Sequence, residues 1–109
     1  MRILLLRPYP ETAQFGLAPF FQTEPLGLMY LAAALRSAGH SVHLADMRFE
    51  RRGITQILRQ WPADLVAISC LHILEAPAAL QAADEIKAHD VKIFVALGGH
   101  AIEFWPPYF

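Results

Sequence analysis

Leu65-Val66-Ala67-Ile68-Ser69 and Lys92-Ile93-Phe94-Val95-Ala96-Leu97 are two short, largely apolar runs. The first opens into Cys70-Leu71 and the second into Gly98-Gly99-His100. Near-continuous apolar runs are the pattern of strands buried on both faces of a parallel sheet. Open parallel sheets take their ligands in the crevice beyond the carboxyl ends of the strands. Small residues stand at both exits, so these two exits say more about function than the rest of the chain.

Working outward, Arg2 to Arg7 reads as a further buried strand, apolar on both faces. A long loop from Pro8 to about Glu24 carries Pro8, Pro10, Gly16 and Pro19, and also Phe15, Phe20 and Phe21. A loop of this length with three phenylalanines is expected to pack on something. Pro25 suits the first turn of a helix, and Leu28, Leu31, Ala32 and Leu35 follow with amphipathic spacing. Gly39 fits a C-terminal cap. Val42 to Ala45 reads as a second strand ending at Asp46. Ile54, Ile57, Leu58 and Trp61 repeat the helical spacing until Pro62. The next helix is expected from about Glu75 to His89, on Ala76, Ala79, Leu80, Ala83 and Ile86.

Strand and helix therefore alternate. Right-handed crossovers make this a flavodoxin-like (Rossmann-like) α/β fold, a parallel sheet with helices on both faces. The expected strand order is 2-1-3-4, with the switch point between the first and third strands. The chain then runs into Phe104-Trp105-Pro106-Pro107-Tyr108-Phe109, without a fifth strand or a last helix. Apolar ends of this kind are normally covered. Residues 1–109 are accordingly expected to be one domain, C-terminally incomplete, at the front of a longer protein.

Composition excludes several classes. The 109 residues allow one core, and the net charge of -1 offers no basic stripe for nucleic acid. The apolar run Ile3 to Leu6 is too short for a signal peptide or a membrane span. A single cysteine, Cys70, rules out an internal disulfide and fits a reducing cytoplasm. No G-x-G-x-x-G follows the first strand, and there is no G-x-x-x-x-G-K-S/T phosphate loop. A phosphoacceptor domain would want an aspartate where Ser69 stands. The loop after the first strand begins Arg7-Pro8-Tyr9-Pro10, and its prolines leave few backbone donors for a flavin phosphate. A bulky ligand with a long tail remains: Ser69 offers a hydroxyl and little bulk, and Gly98-Gly99 lets backbone approach a ligand closely.

The ordered set Ile3-Leu4-Leu5-Leu6-Arg7-Pro8, Glu24-Pro25-Leu26-Gly27-Leu28, Tyr30 to Leu35, Ala38-Gly39-His40-Ser41-Val42 up to Asp46, Asp64 to Ser69, and Val95 to Ala101 resembles the N-terminal cobalamin (B12)-binding domain of B12-dependent radical SAM enzymes. The resemblance covers nearly the whole chain. It implies that Ser69 and Leu71 line a slot for the dimethylbenzimidazole tail, with Gly98 and Gly99 on the other wall; His100, which follows the glycine pair, is counted with them as a cofactor-binding residue because it could face the ligand. It also implies base-off cobalamin without a histidine ligand from the first loop, because no histidine precedes His40. The full enzyme would be of the methyltransferase or cyclase type and would also use a four-iron four-sulfur (4Fe-4S) cluster and S-adenosylmethionine. That cluster needs three cysteines, so one thiol cannot hold it, and it would belong to a downstream radical SAM domain.

The other residues read more plainly. His72 and His100 are read as loop histidines, each within reach of a ligand. His40, His43 and His89 carry no role. Asp46 reads as a turn or capping residue, Cys70 as a small buried residue, Glu24 as a favourable charge at a helix start. Arg48, Arg51 and Arg52 with Glu50 read as a solvated connection. The competing reading is a cofactor-free flavodoxin-like docking module, with the aromatic loop and aromatic end as partner contacts. A hydrolase finds no nucleophile, base and acid together at the strand ends.

Overall fold

The computed structural model describes residues 1–8, 26–70 and 75–99. Four strands alternate with three helices: β1 (Arg2–Arg7), α1 (Leu26–Ser37), β2 (Ser41–Asp46), α2 (Ile54–Gln60), β3 (Leu65–Ser69), α3 (Ala76–His89) and β4 (Phe94–Gly98). All the pairings are parallel and the order is β2-β1-β3-β4, so the crossover reverses between β1 and β3. The strand order and the switch point are those expected from the sequence. β4 begins two residues later than the apolar run, because Lys92 and Ile93 lie in the turn from α3, where Ile93 N–H donates to the Asp90 carbonyl at 3.2 Å.

β1 holds the core together because it pairs on both edges and is covered on both faces. Leu4, Leu5 and Leu6 are fully buried. Burying side chains of this size stabilises by roughly 1.5–3 kcal/mol each. Alternation along the strand sends Leu4 and Leu6 to one face, with Ile57, Leu58, Val66, Ile68, Ala79 and Ile86. Ile3 and Leu5 go to the other face, with Ala32 of α1 and the part-buried Leu28, Leu35, Val42, Leu44, Leu65 and Ala67. So α2 and α3 cover one face and α1 the other.

α1 lies on the β1–β2 side of its face. Its Leu31, expected in the apolar stripe, is 42 % exposed, and Ala32 is the residue that is buried. The far end of that face, at Phe94 of β4, is 65 % exposed. The end of α1 follows the expected cap: Gly39 has φ +92. Its N–H donates to the Arg36 carbonyl at 3.0 Å and the His40 N–H to the Leu35 carbonyl at 3.1 Å. These two bonds form a Schellman motif, which needs a left-handed residue where Gly39 stands.

Candidate ligand site at the carboxyl ends of the strands

Register brings together what the sequence separates. Arg7 is the Cα partner of Asp46, and Ser69 is the partner of Gly98. Leu6 pairs with Ile68, so Arg7 and Ser69 are the next residues on the two central strands. The last layer of the sheet therefore reads Asp46, Arg7, Ser69, Gly98 across four strands. By alternation all four belong to the α1 face.

Within this row Ser69 is half-buried, and its hydroxyl has no hydrogen bond among the described residues. At Gly98 a Cβ would meet no atom of the described residues within 4 Å. The Ser69–Gly98 end of the row is thus open, with a hydroxyl on one side and bare backbone on the other. Two sites named from the sequence, Leu71 and His100, lie outside the described residues, as do His72, most of the loop from Pro8 to Glu24, and the aromatic end.

Gly99 does something different from Gly98. Its φ is +118, and a Cβ there would collide with the Cys70 backbone, lying 2.7 Å from the carbonyl carbon. The same neighbourhood is tied by the Cys70 N–H donating to the Gly98 carbonyl at 2.7 Å. Gly99 is glycine because the chain leaves β4 against the chain leaving β3. The space its missing side chain makes is filled by protein, so the open wall beside Ser69 belongs to Gly98.

The other end of the row is charged and mostly shut off from water. Arg7 Nη2 lies 3.5 Å from Glu75 Oε1, with side chains 9 % and 8 % exposed. Arg48 Nη2 lies 2.6 Å from Asp46 Oδ2, with side chains 5 % and 10 % exposed. Arg48 is therefore not part of a solvated connection, unlike Arg51, which is exposed, and the half-buried Arg52–Glu50 pair. Asp46 takes the turn role expected of it, since its Oδ1 accepts from the Arg48 N–H at 3.1 Å and from Arg48 Nε at 3.0 Å. Burial pushes the Asp46 carboxyl up, but the Arg48 hydrogen bonds and the charges of Arg48 and Arg7 outweigh it and hold the group below its ordinary value. Sequence reading missed Arg7 and Glu75. The available signal was a charge ending an otherwise apolar central strand.

Arg7 Nε is buried and has no hydrogen-bond partner. Cys70 is fully buried, and its thiol is pushed up to about 11 by burial and by the Glu75 charge. That suits the structural role expected of it and opposes a nucleophilic one. His40 Nδ1 sits 3.2 Å from the N-terminal amine and His43 packs on Trp61 at 5.5 Å, both at the amino half of the sheet. Among the described residues no three side chains could hold a metal ion, and no helix is long and apolar enough to cross a membrane.

An open parallel sheet whose strand ends carry a bare backbone position, a hydroxyl and a buried arginine N–H without an acceptor defines a flavodoxin-like ligand-binding domain. Residues 17–109 match the family described as B12 binding domain, and the chain belongs to that family. The chain is also similar to a hopanoid C-3 methylase of Methylococcus capsulatus, 33 % identical over 86 residues, which is 78 % of this chain and 17 % of that protein. The chain thus spans about one sixth of the length of that relative. No solved structure matches.

The row suits such a ligand. Gly98 carries no side chain, and no described atom lies within 4 Å of where a Cβ would stand. The Ser69 hydroxyl and the Arg7 Nε are polar groups without hydrogen-bond partners among the described residues.

Proposed function

We propose that this B12-binding domain holds base-off cobalamin, with the nucleotide tail laid past Ser69 and Gly98 at the ends of β3 and β4. The observation that carries the reading is the pairing of Ser69 with a Gly98 whose outward side meets no described residue within 4 Å of a Cβ position. Bare backbone lets a flat ring lie close against the strand end, and the Ser69 hydroxyl can donate or accept one hydrogen bond there. Leu71 and His100, next in the chain to the described strand ends, belong to the same proposal, with Leu71 on the Ser69 wall and His100 beyond the glycines. Gly99 supports it indirectly, by seating β4 against Cys70 so that Gly98 stays in line with Ser69. No histidine occurs before His40, so the loop after β1 supplies no imidazole to cobalt.

On this reading the chain is the front domain of a B12-dependent radical SAM enzyme, of methyltransferase or cyclase type. The short span against the methylase relative supports a longer protein. When bound, cobalamin supplies methyl-carrying or radical chemistry, and the domain's share is to bind and orient it. The 4Fe-4S cluster and S-adenosylmethionine fall to the downstream domain, since one thiol cannot hold a cluster. The lone buried thiol also fits a cytoplasmic protein.

The test is to mix the purified protein with hydroxocobalamin, remove free ligand by gel filtration and record the spectrum. Corrin absorbance that travels with the protein and has a base-off form is the expected result. A protein that emerges colourless, in its full natural length, overturns the reading.

A further inference from the structure

Arg7 stands between Asp46 and Ser69 in the last layer of the sheet, at the point where the strand order reverses. It is 8 % exposed, and its Nε is both shielded from water and without an acceptor. A buried donor with no partner is uncommon and calls for an explanation. One guanidinium edge is engaged, because Nη2 faces Glu75 at 3.5 Å. The Asp46 carboxylate beside it is already taken up by Arg48, through Nε at 3.0 and 3.2 Å and Nη2 at 2.6 Å.

The charges around Arg7 decide what chemistry would suit the spare donor. Among the described residues the cluster comprises Arg7, Arg48, Asp46 and Glu75, two cations and two anions. Arg7 also acts on Asp46, and Glu75 on Arg48, across the two pairs. Counted over these four side chains the charges balance, so they hold no excess positive charge to offset the desolvation of a further anion. It can still offer a hydrogen bond to a neutral oxygen. The rim of a corrin ring carries amide side chains, whose carbonyls are neutral acceptors. The phosphodiester of the nucleotide tail is an anion.

We propose that Arg7 is a cofactor-binding residue whose Nε–H donates to an amide carbonyl on the corrin rim, next to the tail position at Ser69. This rests on the cobalamin reading above. It assigns the two ends of one row to two parts of one ligand: Ser69 and Gly98 to the nucleotide tail, Arg7 to the ring.

The test measures binding of hydroxocobalamin and of diaquacobinamide by equilibrium dialysis against the full protein. Cobinamide keeps the ring amides and lacks the phosphodiester and the base. Two variants are compared, Arg7→Lys, which keeps a cation beside Glu75 without the Nε donor, and Arg7→Met/Glu75→Gln, which removes the ion pair together. The double change guards against misfolding from an unpaired buried carboxylate, and circular dichroism confirms the fold. The expected result is a loss of about three- to tenfold in affinity for both ligands. Unchanged affinity in the folded variants overturns the proposal and leaves Arg7 a structural residue. A loss confined to hydroxocobalamin overturns it too, because the acceptor then lies in the tail. Failure of the wild-type protein to bind either corrin is a different result and defeats the cobalamin reading itself.

Discussion

Gly99 is seated against the backbone of Cys70, at φ +118 and with the Cys70 carbonyl carbon 2.7 Å from where a Cβ would lie. This contact locks the exits of β3 and β4 together. Gly99→Ala brings a clash and a left-handed backbone that an L side chain resists. It is expected to destabilise by about 2 kcal/mol or more. Denaturant unfolding checks this. Gly98→Ala, with no described atom within 4 Å and no positive φ, is expected to leave the midpoint nearly unchanged.

The same contrast separates fold from binding. Gly98→Leu fills the open side of the row and is expected to abolish retention of hydroxocobalamin while the thermal midpoint moves by only a few degrees. A Gly98→Leu protein that retains the corrin as well as wild type does would place the tail elsewhere.

Asp46 makes stability pH-dependent on the acid side. Its folded pKa lies below the ordinary value of 3.8, because the hydrogen bonds and charges from Arg48 and Arg7 outweigh burial. A depressed carboxyl stabilises the folded state above its unfolded pKa. That stabilisation is lost as the pH falls below about 4 and through the folded pKa. Asp46→Asn is expected to cost about 2–3 kcal/mol at pH 7, since it removes the buried carboxylate charge that Arg48 holds through Nε and Nη2. It is also expected to flatten the acid limb of a stability-against-pH curve measured in urea.

Cys70 supplies the alkaline counterpart. Its thiol is raised to about 11 by burial and by Glu75. The folded state thus holds the proton more tightly than the unfolded chain does. Stability is full below the unfolded value of about 8.5 and declines as the pH rises towards the folded one. Iodoacetamide at pH 8 is expected to label the native protein slowly and the urea-unfolded protein at the rate of a free thiol. Mass spectrometry of timed samples reads the difference.

The architecture was legible because it rests on local periodicity and on the sterics of crossovers. The apolar run of β1, the spacing of Ile54, Ile57 and Leu58, and Gly39 after α1 each report a local preference, and together they leave one parallel order. Family membership agrees with the residues that carried the resemblance, and it favours the B12-binding reading over a cofactor-free docking module. Where periodicity misled, packing was the reason. Leu31 has the right spacing, but α1 sits over β1 and β2 with Ala32 inward.

The amino-acid sequence by itself determined which segments are strands, their order, and the two exits at which a ligand site should be sought. These follow from hydrophobic patterning, which needs no knowledge of neighbours. Only the tertiary structure decided that Gly99 serves Cys70 while Gly98 faces the open row, and that Arg48 is buried with Asp46. It alone placed Arg7 beside Ser69 with a donor unspent. Those facts depend on register across strands distant in the chain, and register sets which backbone or charge a residue meets.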